Sequence, residues 1–171
     1  MKIINNAKKY LGVTEGTPKH KEIIDGYNKI KPLPQGYKVK YTDQWCATFV
    51  SYVASLSDMI KFPYECSVPR MWEKAKKNKQ TTTTPKKGYL IIYDWNHNKS
   101  LDHVGIVESV KGQVITTIEG NYSDSVKRRK ILKSSKCIHG YIKTKESEDW
   151  YYEKLFNFRC IENTNNKNIH V

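Results

Sequence analysis

The sequence predicts an α+β fold in which N-terminal helices pack on an antiparallel β-sheet. Apolar residues of the first half recur at helical spacing, whereas short β-branched and aromatic segments separated by turn residues follow from residue 88 onward. The length of 171 residues suits one domain with a short appendage. We therefore predict a folded domain over residues 1–145 and an aromatic C-terminal extension with a disordered tail over residues 146–171.

Four helices are predicted in the first half of the chain. The apolar residues of the first helix share one face and are Ile3, Ile4, Ala7, Tyr10 and Leu11. Gly12 ends this helix, and the second covers residues 18–30. The third is a buried helix within TDQWCATFVSYVASL, with Thr42 or Asp43 as its cap, and the fourth covers residues 69–77.

Five strands are predicted in the second half, after a connector over residues 81–84. They cover residues 88–95, 103–110, 113–119, about 127–132 and 138–144. The aromatic stretch 146–159 is predicted to dock on the same domain as a helix or strand, or to be the root of a further module. The Asn-rich end after Glu162 is expected to be disordered.

The charge balance favours an anionic partner. The chain has 30 Lys and Arg against 17 acidic residues, a net charge of +13. Nucleic acid, an anionic membrane face and the polyanions of a bacterial wall would all fit. Because the basic residues are scattered and no RNA-binding aromatic motif is present, nucleic acid is not expected. A solvated basic surface that adds only nonspecific attraction is the plainer interpretation.

The cysteines and the first residues indicate the compartment. Cys46, Cys66, Cys137 and Cys160 form no CxxC pair, so zinc fingers and redox dithiols are not expected and the thiols are predicted to be free. The opening MKIINNAKKYLG lacks the apolar core of a signal peptide, and no stretch approaches the roughly 18 apolar residues of a membrane span. We expect a protein synthesised in the cytoplasm.

Cys46 is the first candidate for chemistry. A cap at Thr42 or Asp43 would place Cys46 in the first helical turn, where unpaired N–H groups and the helix dipole stabilise a thiolate. Its own backbone N–H would then face a developing oxyanion. The alternative is an ordinary buried cysteine in an apolar helix.

His103 opens a predicted strand after a polar loop, which places it at the mouth of a site. The next strand ends with Glu119 and Asn121, which point to one face because they are two residues apart. A carboxylate or amide there could hold the imidazole in the right tautomer. A strict two-residue hairpin around Gly112 would put His103 and Glu119 on opposite faces, so we predict an odd-length loop or a β-bulge between the strands.

A metal or cofactor is not expected. The loop before His103 contains carboxylate and amide side chains that could bind calcium, namely Asp94, Asn96, Asn98 and Asp102. The loop lacks the Gly and closing Glu of an EF-hand, and the sequence has no HExxH motif or phosphate-binding glycine loop. Ordinary solvated loop residues are the favoured interpretation.

The blocks DQWCATFVSYV, DHVGIVESV and TTIEGN resemble the CHAP family within the NlpC/P60 papain-like superfamily, over roughly residues 2–144. The resemblance implies a peptidoglycan hydrolase that cuts the N-acetylmuramoyl–L-alanine amide or a peptide bond of the wall. It implies Cys46 as nucleophile, His103 as base and Glu119 as the residue that orients the base. Asn121 would be a fourth polar member or part of the oxyanion site. Some CHAP enzymes have an Asp-rich calcium loop upstream of the cysteine, and residues 26–40 lack such a cluster.

Together with the missing signal-peptide core, the resemblance favours a phage endolysin-like protein, expected to be a monomer, that reaches the wall through a holin or a secretion machine. A phage-tail or conjugation-element lysin, or a module of a larger secreted protein, would also fit. The protein's partners would be peptidoglycan and anionic wall polymers. Two alternatives remain: a papain-like protease or amidase acting on other substrates, and a catalytically inactive wall-binding module.

Overall fold

The computed structural model describes residues 1–148, and its fold is α+β as predicted. The helices are α1 (Lys2–Lys8), α2 (Pro18–Tyr27), α3 (Cys46–Ser55) and α4 (Val68–Lys77), with a 3₁₀ turn at Pro34–Gly36. The strands are β1 (Thr81–Thr82), β2 (Leu90–Tyr93), β3 (His103–Lys111), β4 (Val114–Glu119), β5 (Lys127–Leu132) and β6 (Ile138–Ile142). Within residues 1–148 they form an antiparallel sheet in the order β1-β6-β2-β3-β4-β5.

Helix α3 is the central helix of the core. Every residue from Cys46 to Ala54 is buried, and the helix contacts α1, α2 and α4 as well as β3 and β4. The sheet residues that pack in this helix-side core include Leu90, Ile92, Val104, Ile106 and Ile118. The residues between them face the other side of the sheet because side chains alternate along a strand, and they form a smaller cluster that includes Ile91, Tyr93 and Val107. Burial on all sides therefore fixes α3 against β3 and β4.

Helices α1 and α2 end earlier than the sequence predicts. Helix α1 ends at Lys8 rather than near Leu11, because the chain turns and the Gly12 N–H donates to the Val126 carbonyl (2.9 Å). Helix α2 ends at Tyr27 rather than at residue 30. There the Asn28 side chain binds both the N–H and the carbonyl of Val39 (2.9 Å each), which ties the helix end to the next loop. Apolar spacing alone does not reveal such tertiary hydrogen bonds.

The prediction that residues 81–84 form only a connector is wrong in part. Thr81 and Thr82 form strand β1, whose partners on β6 are Ile142 and Tyr141. Threonine is well suited to a pleated strand, and the outer edge of β6 offers unpaired backbone groups to the chain that passes it. The other strand predictions agree with the structure to within two residues at each end, and β5 has the predicted bounds.

The first residues of the predicted C-terminal extension pack on the domain. Glu146 is buried and accepts a hydrogen bond from the Ile3 N–H (3.0 Å). Lys2 forms an ion pair with Glu148 (2.9 Å). The predictions for the docking segment after residue 148, for Cys160 and for the Asn-rich end lie outside the described residues.

Candidate active site

Cys46 is the first residue of α3, so the predicted helix start at Thr42 or Asp43 is wrong. The Asp43 carboxylate instead accepts from the Lys40 N–H and the Tyr37 hydroxyl (2.8 Å each), which holds a turn before the helix. Trp45 occupies the cap position without a capping side-chain hydrogen bond. Cys46 still lies in the first turn of the helix, as predicted. A residue in that turn has a backbone N–H without an intrahelical partner and lies at the positive end of the helix dipole.

A β-bulge brings His103 and Glu119 to one face of the sheet, and the predicted irregularity is confirmed. The hairpin turn is two residues long, with Lys111 opposite Val114. The register then shifts between Val107 and Ser109, leaving Glu108 as an extra residue on β3. With Ile106 opposite Ile118 beyond the bulge, the pleat directs Gly105, Glu119 and His103 to the same side.

Glu119 is the buried centre of a hydrogen-bond network. The side chain has no exposed surface, and its Oε2 lies 3.0 Å from Nε2 of His103. The Tyr93 hydroxyl (2.7 Å) and the Thr117 hydroxyl (2.6 Å) donate to Oε1. Nε of Arg129 donates to both carboxylate oxygens (3.1 and 3.0 Å). Burial by itself would raise the pKa of Glu119, but hydrogen bonds, foremost that from His103, lower it, so this carboxylate is ionised and fixed.

His103 interacts with both Cys46 and Glu119. Burial disfavours the charged imidazole, but hydrogen bonding with the Cys46 side chain and with Glu119 outweighs burial and raises the pKa of His103 to about 9. Residues His103 and Cys46 are almost fully buried, at 8% and 7% exposed. Three of the four predicted site residues therefore lie together, and the imidazole connects the sulfur to the carboxylate.

Asn121, the fourth predicted residue, lies at the rim of this group. Its side-chain N–H donates to Oε1 of Gln44 (2.8 Å), and its backbone is in the left-handed region with φ of 54°. Gln44 lines a pocket of about 540 Å³ together with Tyr37, Asp43 and Arg70 among others. Asn121 lines a second pocket of about 280 Å³ together with His103. The Gln44–Asn121 hydrogen bond therefore lies between these two pockets, which flank the segment that contains Cys46.

Sequence reasoning missed three residues of the site, Tyr93, Trp95 and Arg129. Tyr93 is directly opposite His103 in the sheet, and its ring stacks on Trp95 with centroids 4.5 Å apart. The Arg129 guanidinium lies over Trp95 (4.9 Å) and binds Glu119. Aromatic residues in a strand pattern are read as core, and Arg129 is hidden in the run Lys127–Lys130, so only the register between β4 and β5 could have singled it out.

The loop considered for calcium uses its carboxylates internally. Asp94 accepts from the N–H groups of Asn98 (3.2 Å) and Lys99 (2.9 Å), and Asp102 accepts from the Trp95 N–H (2.8 Å). Within residues 1–148 no group of three or more His, Cys, Asp or Glu residues is arranged to hold a metal ion. These carboxylates shape the loop that carries Trp95 to the site. Cys46, Cys66 and Cys137 are free thiols.

The sequence profile of the CHAP domain matches residues 36–121, which is half of the 171-residue chain. The chain belongs to the CHAP domain family. This family is part of the NlpC/P60-like group of papain-like cysteine peptidases and amidases. The match spans Cys46, His103, Glu119 and Asn121.

The fold is similar to that of a solved structure described as the crystal structure of Ly7917. The two chains superpose with a TM-score of 0.50 at 15% sequence identity, over 82% of this chain and 60% of that one. The likeness shows the fold, and this chain spans about 60% of the length of that protein. A search among curated proteins found no match.

The CHAP domain is associated with hydrolases of the amidase or peptidase type that act on peptidoglycan. Among residues 1–148, none of the helices combines the length and the apolarity needed to cross a bilayer.

Substitution of Gly105 tests whether β3 must lie as close to the Glu119 side chain as it does. A Cβ at Gly105 would lie 2.7 Å from Cγ of Glu119, closer than carbon atoms pack. We expect Gly105→Ala to displace the carboxylate, to lower the free energy of unfolding by about 1–3 kcal/mol and to reduce activity. Chemical denaturation and an activity assay measure the two effects. In the control variant Gly112→Ala the new Cβ has no atom within 4 Å. Its free energy of unfolding should fall only by the cost of an alanine at positive φ, and its activity should not change.

Proposed function

We propose that this CHAP domain is a cysteine-dependent peptidoglycan hydrolase, with Cys46 as nucleophile, His103 as base and Glu119 as the residue that orients the base. The observation that carries the proposal is the buried connection from Cys46 through His103 to Glu119. It joins the start of α3 to the face of the sheet. A structural cysteine in an apolar helix would need neither the imidazole nor the carboxylate.

The proposed mechanism follows from these contacts. Nε2 of His103 faces the ionised Glu119, so Nε2 carries a proton and Nδ1 is the nitrogen left for the sulfur. His103 takes the thiol proton, or at neutral pH has already taken it because its pKa is raised to about 9, and the Cys46 sulfur attacks the amide carbonyl. The Cys46 backbone N–H, at the start of α3, supports the oxyanion. The imidazolium then protonates the leaving amine, and water hydrolyses the thioester.

Asn121 is proposed to act through Gln44 rather than on the imidazole. Its hydrogen bond fixes the Gln44 amide two residues before the nucleophile. The fixed amide supports the idea that this pair contributes to the oxyanion site, which was one of the two roles that the sequence left open for Asn121.

The test of the proposed function is digestion of purified peptidoglycan by the full chain. Clearing of the suspension with release of soluble fragments is expected, and mass spectrometry of these fragments identifies the bond. New alanine amino termini with free muramoyl carboxyl groups would establish an amidase, and other new termini an endopeptidase. Casein-type peptides serve as the control. Cleavage of these peptides with no release from the wall would favour a general protease.

The wider setting is part of the same proposal. We infer a monomeric lytic enzyme with a catalytic domain over residues 1–145 and an extension over residues 146–171, delivered to the wall through a holin or a secretion machine. The net charge of +13 supports attraction to anionic wall polymers. Because this attraction is screened, it should fade above physiological ionic strength.

The pH dependence of kcat/KM should report the protonation of the His103–Cys46 pair. The protonated imidazole is needed to donate to the leaving amine, and the pKa of His103 is raised to about 9 from an ordinary 6.5. We therefore expect kcat/KM to stay high through neutral pH and to fall as the pH rises through about 9. Glu119→Gln should move this alkaline limb to lower pH, because one interaction that favours the imidazolium is lost. A fall centred near the ordinary histidine value in the wild type would contradict the coupling.

A further inference from the structure

The pocket that contains His103 is lined only by neutral and basic side chains. It measures about 280 Å³, and its lining residues are Trp95, His103, Asn121, Tyr122, Ser123 and Arg129. Glu119 lies behind this lining with no exposed surface. A substrate group in the pocket would therefore meet Arg129 and His103 without meeting a carboxylate.

Arg129 is held in a fixed orientation at this pocket. Its Nε binds Glu119, and its guanidinium carbon lies 3.9 Å from the centre of the Tyr122 ring. A guanidinium stacked on a ring keeps its N–H groups in the plane and available for hydrogen bonds. Among residues 1–148 the described hydrogen bonds of Arg129 all use Nε, and the side chain is 21% exposed. Its two terminal NH₂ groups are thus preorganised donors beside the reacting centre.

The wall of the pocket is a strained loop. Asn121, Ser123 and Asp124 all have positive φ (54°, 48° and 55°), a conformation that costs energy in residues other than glycine. The loop is held in place by hydrogen bonds from the Tyr122 N–H to the Ser125 carbonyl (2.9 Å) and from the Glu15 N–H to the Asp124 carbonyl (2.8 Å). Strain of this kind persists where the surrounding structure over-determines it, and it concentrates at binding and catalytic sites.

We propose that Arg129 forms a subsite that binds a carboxylate of the substrate peptide next to the scissile amide. The inference rests on the proposed function. Two parallel N–H donors of a guanidinium match the two oxygens of a carboxylate. Because His103 lines the same pocket, the bound carboxylate belongs to an amino acid that flanks the bond being cut.

The experiment compares two peptidoglycan fragments that differ only by a free carboxylate or a carboxamide on the residue flanking the scissile bond. Their affinities are measured by calorimetry in the Cys46→Ala background, so that binding is read without turnover. Their KM and kcat values are measured with the active chain. We expect the carboxylate form to bind about tenfold more tightly, the effect of a charge-assisted hydrogen bond, with the difference in KM rather than in kcat.

Variants at the adjacent residues Arg128 and Arg129 test whether Arg129 causes the preference for the carboxylate fragment. Arg129→Gln should reduce the preference to less than about twofold. Arg129→Lys should keep part of it, because lysine supplies a charge without the paired donors. Arg128→Gln removes an equal charge from an exposed side chain that binds Glu108, and it should keep the full preference.

Equal binding of the two fragments by the Cys46→Ala chain would overturn the subsite, and so would a full preference in Arg129→Gln. Should Arg129→Gln fail to fold, Arg129→Lys takes its place, and a full preference there has the same meaning. A carboxylate preference in binding without any cleavage by the active chain would contradict the proposed function while leaving the subsite in place.

Discussion

Replacing Cys46 by alanine is expected to abolish hydrolysis of peptidoglycan. Loss of the proposed nucleophile would leave only binding and the proposed oxyanion site, so we expect the rate to fall by about 10⁴-fold or more, as in other hydrolases with a covalent intermediate. Release of soluble fragments, followed by turbidity and by chromatography, measures the effect. The variant should still sediment with the wall, because the basic surface is unchanged.

The other free thiols provide matched controls for this variant. Cys66 is half-buried beside Arg70, with its sulfur 3.6 Å from a guanidinium nitrogen, and Cys137 lies at the edge of the smaller cluster. The pKa of His103 responds to the Cys46 thiol, whereas these two thiols have other surroundings. Cys66→Ala and Cys137→Ala should therefore digest the wall at rates close to the wild type. Full activity in Cys46→Ala would contradict the role of Cys46 as nucleophile. Wall binding without hydrolysis by the wild type would indicate a binding module in place of an enzyme.

Substitution of Glu119 is expected to have the second-largest effect, and it separates catalysis from stability. Glu119→Gln keeps the shape but loses the charge that favours the imidazolium, so kcat should fall by about 10²-fold to 10⁴-fold. Glu119→Ala also leaves Arg129, Tyr93 and Thr117 without their common acceptor. Its free energy of unfolding should fall by about 3 kcal/mol or more. Chemical denaturation and steady-state kinetics give the two quantities.

Glu73 is a suitable control for the loss of a carboxylate. It lies on the surface of α4 and its partner is Lys76 (3.2 Å), an exposed ion pair of small energetic value. Glu73→Gln should change neither activity nor stability measurably. If Glu119→Gln retained wild-type kcat, the carboxylate would be a structural group and His103 would not depend on it.

The sequence predicts the location of Cys46, His103 and Glu119 well because each lies at the end of an element. Residues at helix starts and strand ends can be assigned from turn residues and spacing, even when the exact boundary is off by a few positions. The start of α3 was predicted too early because Thr42 and Asp43 look like caps. In the structure Asp43 serves the turn instead. The side chain of a capping residue type has several possible partners, and only the tertiary fold selects one.

Arg129 could not be predicted because its role depends on the pairing of β4 with β5. In that register Arg129 lies opposite Thr117, and it reaches the same face of the sheet as Glu119. Its neighbours Arg128 and Lys130 are exposed, and the three look alike in a basic run. Trp95 was likewise assigned to a strand end, whereas Asp102 holds its backbone and directs the ring toward Arg129. Long-range register and loop hydrogen bonds have no local sequence pattern.

Because Glu108 is an extra residue on β3, the His103 and Glu119 side chains lie on the same face of the sheet. Each residue added to or removed from β3 or β4 between these groups turns one of them to the far side of the sheet. A change of one residue within either strand therefore separates the pair, whereas a residue added in the turn leaves the paired strands and the pair in place. Homologous chains that retain the pair should differ in length at the turn rather than within these strands, unless a second bulge restores the phase.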